Sequence, residues 1–206
     1  MQNGKQALFE EIDEHLLHDD RPSEYFEQIL TTKLFTEQYP FTFLSRLQKI
    51  GQSPRHHPEG NVWNHTMLVL DNAAQVRGRS GDARSFMWAA LLHDIGKAAT
   101  TRLRNGRITS YDHDKEGEKL ARAFLECFTK DQDFILRVSR LVRWHMQILF
   151  ITNKLPFADI KAMKRQVNVK EVGLLGLCDR LGRKMEQDIQ KEIEIMENFV
   201  KICENE

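Results

Sequence analysis

The ten residues Met87-Trp88-Ala89-Ala90-Leu91-Leu92-His93-Asp94-Ile95-Gly96 constrain the fold more than any other stretch. The run Met87 to Leu92 leaves no polar face on a helix, so it predicts a helix buried on all sides near the centre of the molecule. Asp82 is placed to cap that helix and Gly96 to break it. Its end at His93-Asp94 then sets a second demand. An imidazole and a carboxylate held out of water need compensation, and a bound cation supplies it. Helix neighbours point about 100° apart, yet they converge on one ion placed at the helix end.

The rest of the chain reads as helix packed around that segment, an all-α bundle with one short β-hairpin. Leu8, Ile12 and Leu16 predict a helix over about 5–17. Pro22-Ser23 opens a short second one, and 41–50 forms a third that Gly51 ends. A loop over 52–60 leads to Asn61, which caps a helix to about Arg77. Asn105-Gly106 fits a type I′ turn, which predicts a hairpin over about 101–111. Further helices are expected over about 115–128, 131–151, 157–165, 169–183 and 185–203. No repeat or long linker interrupts them. We expect one domain over 1–206, with N-terminal helices to about 50, a core over 55–185 and a final helix over 186–206.

The chain has 206 residues, 41% of them hydrophobic, which excludes a disordered chain. The longest apolar run is too short to span a bilayer, and the N-terminus has no signal-like stretch. Cys127, Cys178 and Cys203 form no Cys-x-x-Cys pair, so reduced thiols in a cytoplasmic protein are expected. Thirty basic residues balance thirty acidic ones, but the charge is segregated. Residues 41–184 carry a surplus of eleven positive charges and the two ends an equal negative surplus. That distribution excludes a globally basic nucleic-acid coat and fits a local basic cleft for a phosphate-bearing ligand.

Four further polar residues sit where the pattern calls for apolar ones. His65 shares a stripe with Val62 and Val69, and His145 lies within Leu141-Val142-Arg143-Trp144-His145-Met146. His113 stands at a loop-to-helix junction, and Asp179 ends Leu174-Leu175-Gly176-Leu177-Cys178. Four imidazoles with two carboxylates suit Fe, Mn, Co, Ni or Zn over Mg alone, as one ion or a pair.

Here the chain resembles a known family. The set His65…His93-Asp94…Asp179, with Leu91-Leu92-His93-Asp94-Ile95-Gly96-Lys97 at its centre, is similar to the HD-domain metal-dependent phosphohydrolases. It is closer still to the HD domain of bacterial CCA-adding tRNA nucleotidyltransferases. His57-Pro58-Glu59-Gly60-Asn61-Val62-Trp63-Asn64-His65-Thr66, Tyr111-Asp112-His113-Asp114-Lys115-Glu116-Gly117 and Asp179-Arg180-x-Gly182-Arg183 carry that likeness over about 55–185. The Gly-Ser or Gly-Gly turn and paired aspartates of the nucleotidyltransferase head are missing. A stand-alone relative of the phosphohydrolase part is therefore expected, without CCA addition.

The resemblance implies that His65, His93, Asp94 and Asp179 hold a first divalent metal. His113 and His145 match the extra histidines of a two-metal subgroup, with Asp94 bridging; alternatively, they bind substrate phosphate. A water activated by the metal would attack a phosphoester of a nucleotide or a nucleic-acid end such as that of tRNA. Asp94 and Lys97 are the expected catalytic pair, Lys97 meeting a phosphate or else offsetting a helix dipole. Arg180 and Arg183 either flank the substrate or serve as ion-pair partners. Asp114 or Glu59 would accept a proton or support a ligand. His56 and His57 are expected in solvent. The competing readings are a nucleotide- or tRNA-binding module with a residual metal site, and a partner of a separate nucleotidyltransferase docked through the acidic terminal helices. No membrane partner is expected, and the oligomeric state is left open.

Overall fold

The computed structural model describes residues 2–183 and 188–206. Thirteen α-helices, two 3₁₀ turns and one hairpin follow in order among those residues. The N-terminal helices are α1 (Gln2–His18), α2 (Ser23–Ile29), α3 (Lys33–Glu37) and α4 (Thr42–Ser45), the last running into a 3₁₀ turn over Arg46–Lys49. Then come α5 (Val62–Val76), α6 (Ala83–Leu92), α7 (Lys97–Thr100), β1 (Arg102–Arg104), β2 (Arg107–Thr109) and α8 (His113–Glu126). They are followed by α9 (Gln132–Trp144), α10 (Gln147–Thr152), α11 (Ile160–Lys164), α12 (Val169–Leu181) and α13 (Ile189–Asn205). The architecture is all-α apart from the antiparallel pair β1–β2.

Helix α6 is the central element. Every residue from Ser85 to Leu92 is buried, and the helix packs against α1, α5, α9 and α12. Trp88 is fully buried, and its indole donates to Asp13 Oδ1 at 2.6 Å. Arg84 Nε holds the same carboxylate at 2.9 Å, which ties α1 onto the centre. The buried apolar side chains from Leu8 to Cys203 form one contiguous cluster.

The start signals work as the residue types dictate. Asn61 accepts from the Asn64 amide at 2.8 Å. Asp82 takes both the amide and the hydroxyl of Ser85, at 3.1 and 2.6 Å. Each satisfies a donor that the first turn of a helix leaves orphaned. In the hairpin, Asn105 and Gly106 have φ of 49° and 73°, the two positive values that a type I′ turn requires. No helix among the described residues is long and apolar enough to cross a membrane.

Several expected boundaries shift. The 131–151 helix is two helices, because the chain turns at His145-Met146 between α9 and α10. The α6 helix ends at Leu92, with His93 as its C-cap, and a turn over 93–96 leads into α7. The 41–50 helix is α4 plus the 3₁₀ turn, and α3 and α7 are additional. The final helix is capped by Asp188, which accepts from the Lys191 amide. Its expected start at 185 lies outside the described residues.

Candidate metal centre

Five elements deliver the six polar residues to one end of the bundle. His65 comes from the first turns of α5 and His93-Asp94 from the turn after α6. His113 is the first residue of α8, His145 the C-cap of α9, and Asp179 lies in the last turn of α12. All four imidazoles and Asp94 are buried.

The backbone sets the ring tautomers. Nδ1 of His93, His113 and His145 faces the carbonyl oxygen three residues earlier, on Ala90, Ser110 and Val142, at 2.8, 2.7 and 2.6 Å. A carbonyl only accepts, so each Nδ1 carries the proton and each Nε2 presents a lone pair to the centre. His93 Nε2 is buried with no hydrogen-bond partner among the described residues. His113 Nε2 and His145 Nε2 face each other at 3.3 Å. Two lone pairs at that distance repel unless a cation or a proton lies between them.

Asp94 joins two ligand groups. Its Oδ2 is 3.4 Å from His93 Nε2 and 4.0 Å from His65 Nε2, which in turn is 2.9 Å from Asp179 Oδ1. Its Oδ1 is 3.4 Å from His113 Nε2 and 3.9 Å from His145 Nε2. His65, His93 and Asp179 form one group with metal-ligand spacing, and Asp94, His113 and His145 another. The donor set and the orphaned His93 nitrogen fit divalent cations bound through imidazole and carboxylate.

The electrostatics favour charged carboxylates at Asp94 and Asp179 and neutral rings at His113 and His145. Burial raises the pKa of Asp94, but Lys97 and His93 overcome it and hold the carboxyl well below the usual range. Burial is likewise outweighed at Asp179, chiefly by the hydrogen bond with His65. Burial pushes His145 down to about 4, with help from His113 and His93, and lowers His113 too. His65 is the exception. Its bonds to Asp179 and Glu59 outweigh burial and raise it to about 9.

Glu59 is buried behind His65. Its Oε1 lies 3.0 Å from His65 Nδ1 and 2.7 Å from His57 Nδ1. It therefore fixes the His65 ring from outside the centre, the usual arrangement for a metal-binding imidazole. His57 is half-buried and lines the cavity, contrary to the expectation that it sits in solvent, whereas His56 is exposed at the cavity edge, as expected. The loop 52–60 closes at its ends, where Gln52 N donates to Gly60 O at 2.9 Å, and is held to α5 by the Asn64 side-chain amide, which donates to Glu59 O at 2.9 Å.

A cavity of about 850 Å³ opens over Asp94. Lys97 lines it, with Nζ 2.7 Å from Asp94 Oδ2 and 2.7 Å from Gln52 Oε1. Arg183 lines it too, its Nε buried without a partner among the described residues. Arg180 does not join them: its guanidinium pairs with Glu192 on α13, away from the cavity lining. Asp114 is at the wall and pairs with Arg143. Gln52, Arg143, Phe150 and Phe157, which no sequence pattern marked as functional, also line the cavity. Only Arg143, two residues before His145, carried a signal that could have found it.

Helix ends that converge four histidines and two aspartates beneath a cavity define an all-α domain built around a candidate metal centre. The chain belongs to the HD domain family, whose model matches residues 62–184. Among curated proteins it is similar to the multifunctional CCA protein of Methylococcus capsulatus, 26% identical over 91% of this chain and 38% of the relative. It is also similar to the proteins of that name from Alkalilimnicola ehrlichii, 31% identical over 69% of this chain and 32% of the relative, and Actinobacillus pleuropneumoniae, 31% identical over 58% and 29%. The chain thus spans about a third of the length of the curated relatives it matches.

Proposed function

We propose that this chain is a metal-dependent phosphohydrolase acting on phosphoesters of nucleotides or nucleic-acid ends, one domain whose terminal helices brace the core. The observation that carries the reading is Asp94 beneath the cavity, whose Oδ2 faces His65 and His93 and whose Oδ1 faces His113 and His145. His65, His93, Asp94 and Asp179 would hold one divalent cation and Asp94, His113 and His145 a second. Cations held there supply Lewis acidity toward a phosphoryl oxygen and make water a nucleophile near neutral pH. The imidazole-rich set favours Mn, Fe, Co, Ni or Zn.

The chain's own groups do the remaining work. Lys97 is anchored by Asp94 and Gln52, so its ammonium stands at the cavity floor as a point charge for a phosphate. Arg183 and Arg143 add two guanidinium groups to the walls. Phe150 and Phe157, in ring contact at 5.5 Å, form an apolar wall suited to a nucleobase. The test is metal analysis of chelator-free protein together with a panel of phosphomonoesters and cyclic phosphodiesters. Metal-stimulated hydrolysis of a nucleotide is the expected result. Absence of both bound metal and metal-stimulated turnover would overturn the reading.

A further inference from the structure

The hairpin beside the cavity carries a surface that the catalytic reading leaves unused. Residues two apart on a strand share a face, so Arg102 and Arg104 of β1 lie on one side and Leu103 on the other. The register pairs Arg102 with Thr109, Leu103 with Ile108 and Arg104 with Arg107. Three arginines therefore occupy one face, and Arg104 and Arg107 stand directly opposite each other. Like charges opposed across strands are destabilising, and none of the three forms an ion pair among the described residues. All three are exposed. Such an arrangement is relieved by an anion that spans them.

The other hairpin face is apolar, and two exposed aromatic rings stand at the cavity mouth among polar residues that include Asp112, Lys115 and Asp159. Leu103 is 74% exposed, Tyr111 61% and Phe157 63%. Ile108, Thr109 and Tyr111 line the cavity from the hairpin side, and Phe157 lines it from the α10–α11 connection. Arg104 lies over the Tyr111 ring at 5.3 Å, which couples the basic face to the rim.

We propose that the β1–β2 hairpin is a binding surface for single-stranded nucleic acid that enters the cavity by its end. Arg102, Arg104 and Arg107 take backbone phosphates, and Tyr111 stacks a base at the rim. Guanidinium groups for the backbone beside exposed rings for unpaired bases are the pairing that single strands use. An acidic polypeptide would use the arginines and leave the rings idle. The inference rests on the proposed phosphoester chemistry only for which part of the strand reaches Asp94.

The experiment measures binding, with no turnover required. Fluorescence anisotropy of a labelled eight-nucleotide uridine RNA is followed across a salt series, with the chelated wild-type chain and the triple variant Arg102→Ala, Arg104→Ala, Arg107→Ala. The wild type is expected to bind with a steep salt dependence. The triple variant should bind on the order of tenfold more weakly, with a log–log salt slope shallower by about 2, as three lost single-strand phosphate contacts imply. Lysines at the three positions should restore most of the slope, and Tyr111→Ala should cost on the order of tenfold with the slope unchanged. Equal binding by wild type and triple variant would overturn the proposal, as would a preference for a blunt duplex or for polyglutamate. Failure of the phosphohydrolase reading would look different: the wild type would bind the RNA yet hydrolyse no ester of the panel with metal added.

Discussion

Replacing Gly96 by alanine tests how the centre is assembled. Gly96 is where the turn after α6 meets the first turn of α8. A Cβ there would sit 2.1 Å from the His113 carbonyl oxygen and 2.7 Å from the Gly117 nitrogen. Both neighbours are helix backbone, so no flexible side chain gives way. Overpacking of this kind costs about 1–3 kcal/mol, and two rigid contacts this short put Gly96→Ala near 3 kcal/mol. For a domain of this size that is a fall in Tm of roughly 6–12 °C. Relief comes by moving α8 outward, which carries His113 away from Asp94, now 3.4 Å from it. Affinity for the second cation should drop at least tenfold, the scale seen when supporting groups of a metal site are disturbed. Calorimetric melting and metal titration read the two effects. Gly51→Ala is the control, since a Cβ there meets nothing within 4 Å, and it should stay within about 0.5 kcal/mol of wild type. A Gly96→Ala protein that melts within about 2 °C of wild type and binds metal unchanged would refute the reasoning.

Three other expectations follow from single contacts. Glu59→Gln keeps the shape but removes the carboxylate that faces Nδ1 of both His57 and His65; metal affinity by chelator competition should fall about 10- to 100-fold, and an unchanged value would remove Glu59 from the support of His65. Asp13→Ala leaves the buried Trp88 indole N–H without its acceptor, and urea unfolding should show a loss of about 1–3 kcal/mol. Burial raises the Asp82 carboxyl, but the Ser85 bonds, then Arg137 and Arg84, bring it below its ordinary 3.8. A depressed carboxyl stabilises the fold above its unfolded pKa and loses that contribution as pH falls through the folded value. Asp82→Ala should therefore cost about 1 kcal/mol at neutral pH, and its gap to wild type should close in acid; a gap that persists there would contradict the cap.

Where local chemistry decided the structure, the sequence was readable. The all-round apolar run fixed α6 as the centre, Asn61 and Asp82 cap their helices through their own side chains, and Asn105-Gly106 supplied the two positive φ values of the hairpin. His65, His93-Asp94, His145 and Asp179 stood out because they interrupt or end apolar runs, His113 stood at a loop-to-helix junction and was marked by the family resemblance, and the fold brings all six together. Other features depend on contacts far along the chain. The turn at His145 was hidden because the apolar periodicity of α9 continues into α10. Arg180 looked like a neighbour of Asp179, but its partner is Glu192, twelve residues on and on another helix. Glu59 and His57 lie in a loop whose position depends on its closure at Gln52 and Gly60 and on the Asn64 side chain of α5. The cavity walls at Gln52, Phe150 and Phe157 come from segments about a hundred residues apart, and no local pattern predicts that they meet.

The central claim is that Asp94 is shared between two cation-binding groups. Titration of chelator-free protein with Mn²⁺, for wild type and Asp94→Ala in parallel, tests it most directly, with the fold of each checked by circular dichroism. Wild type should take up about two equivalents, and a folded Asp94→Ala protein should lose both high-affinity sites, because one carboxylate serves each. A folded Asp94→Ala protein that binds Mn²⁺ with the stoichiometry and affinity of wild type would contradict the account.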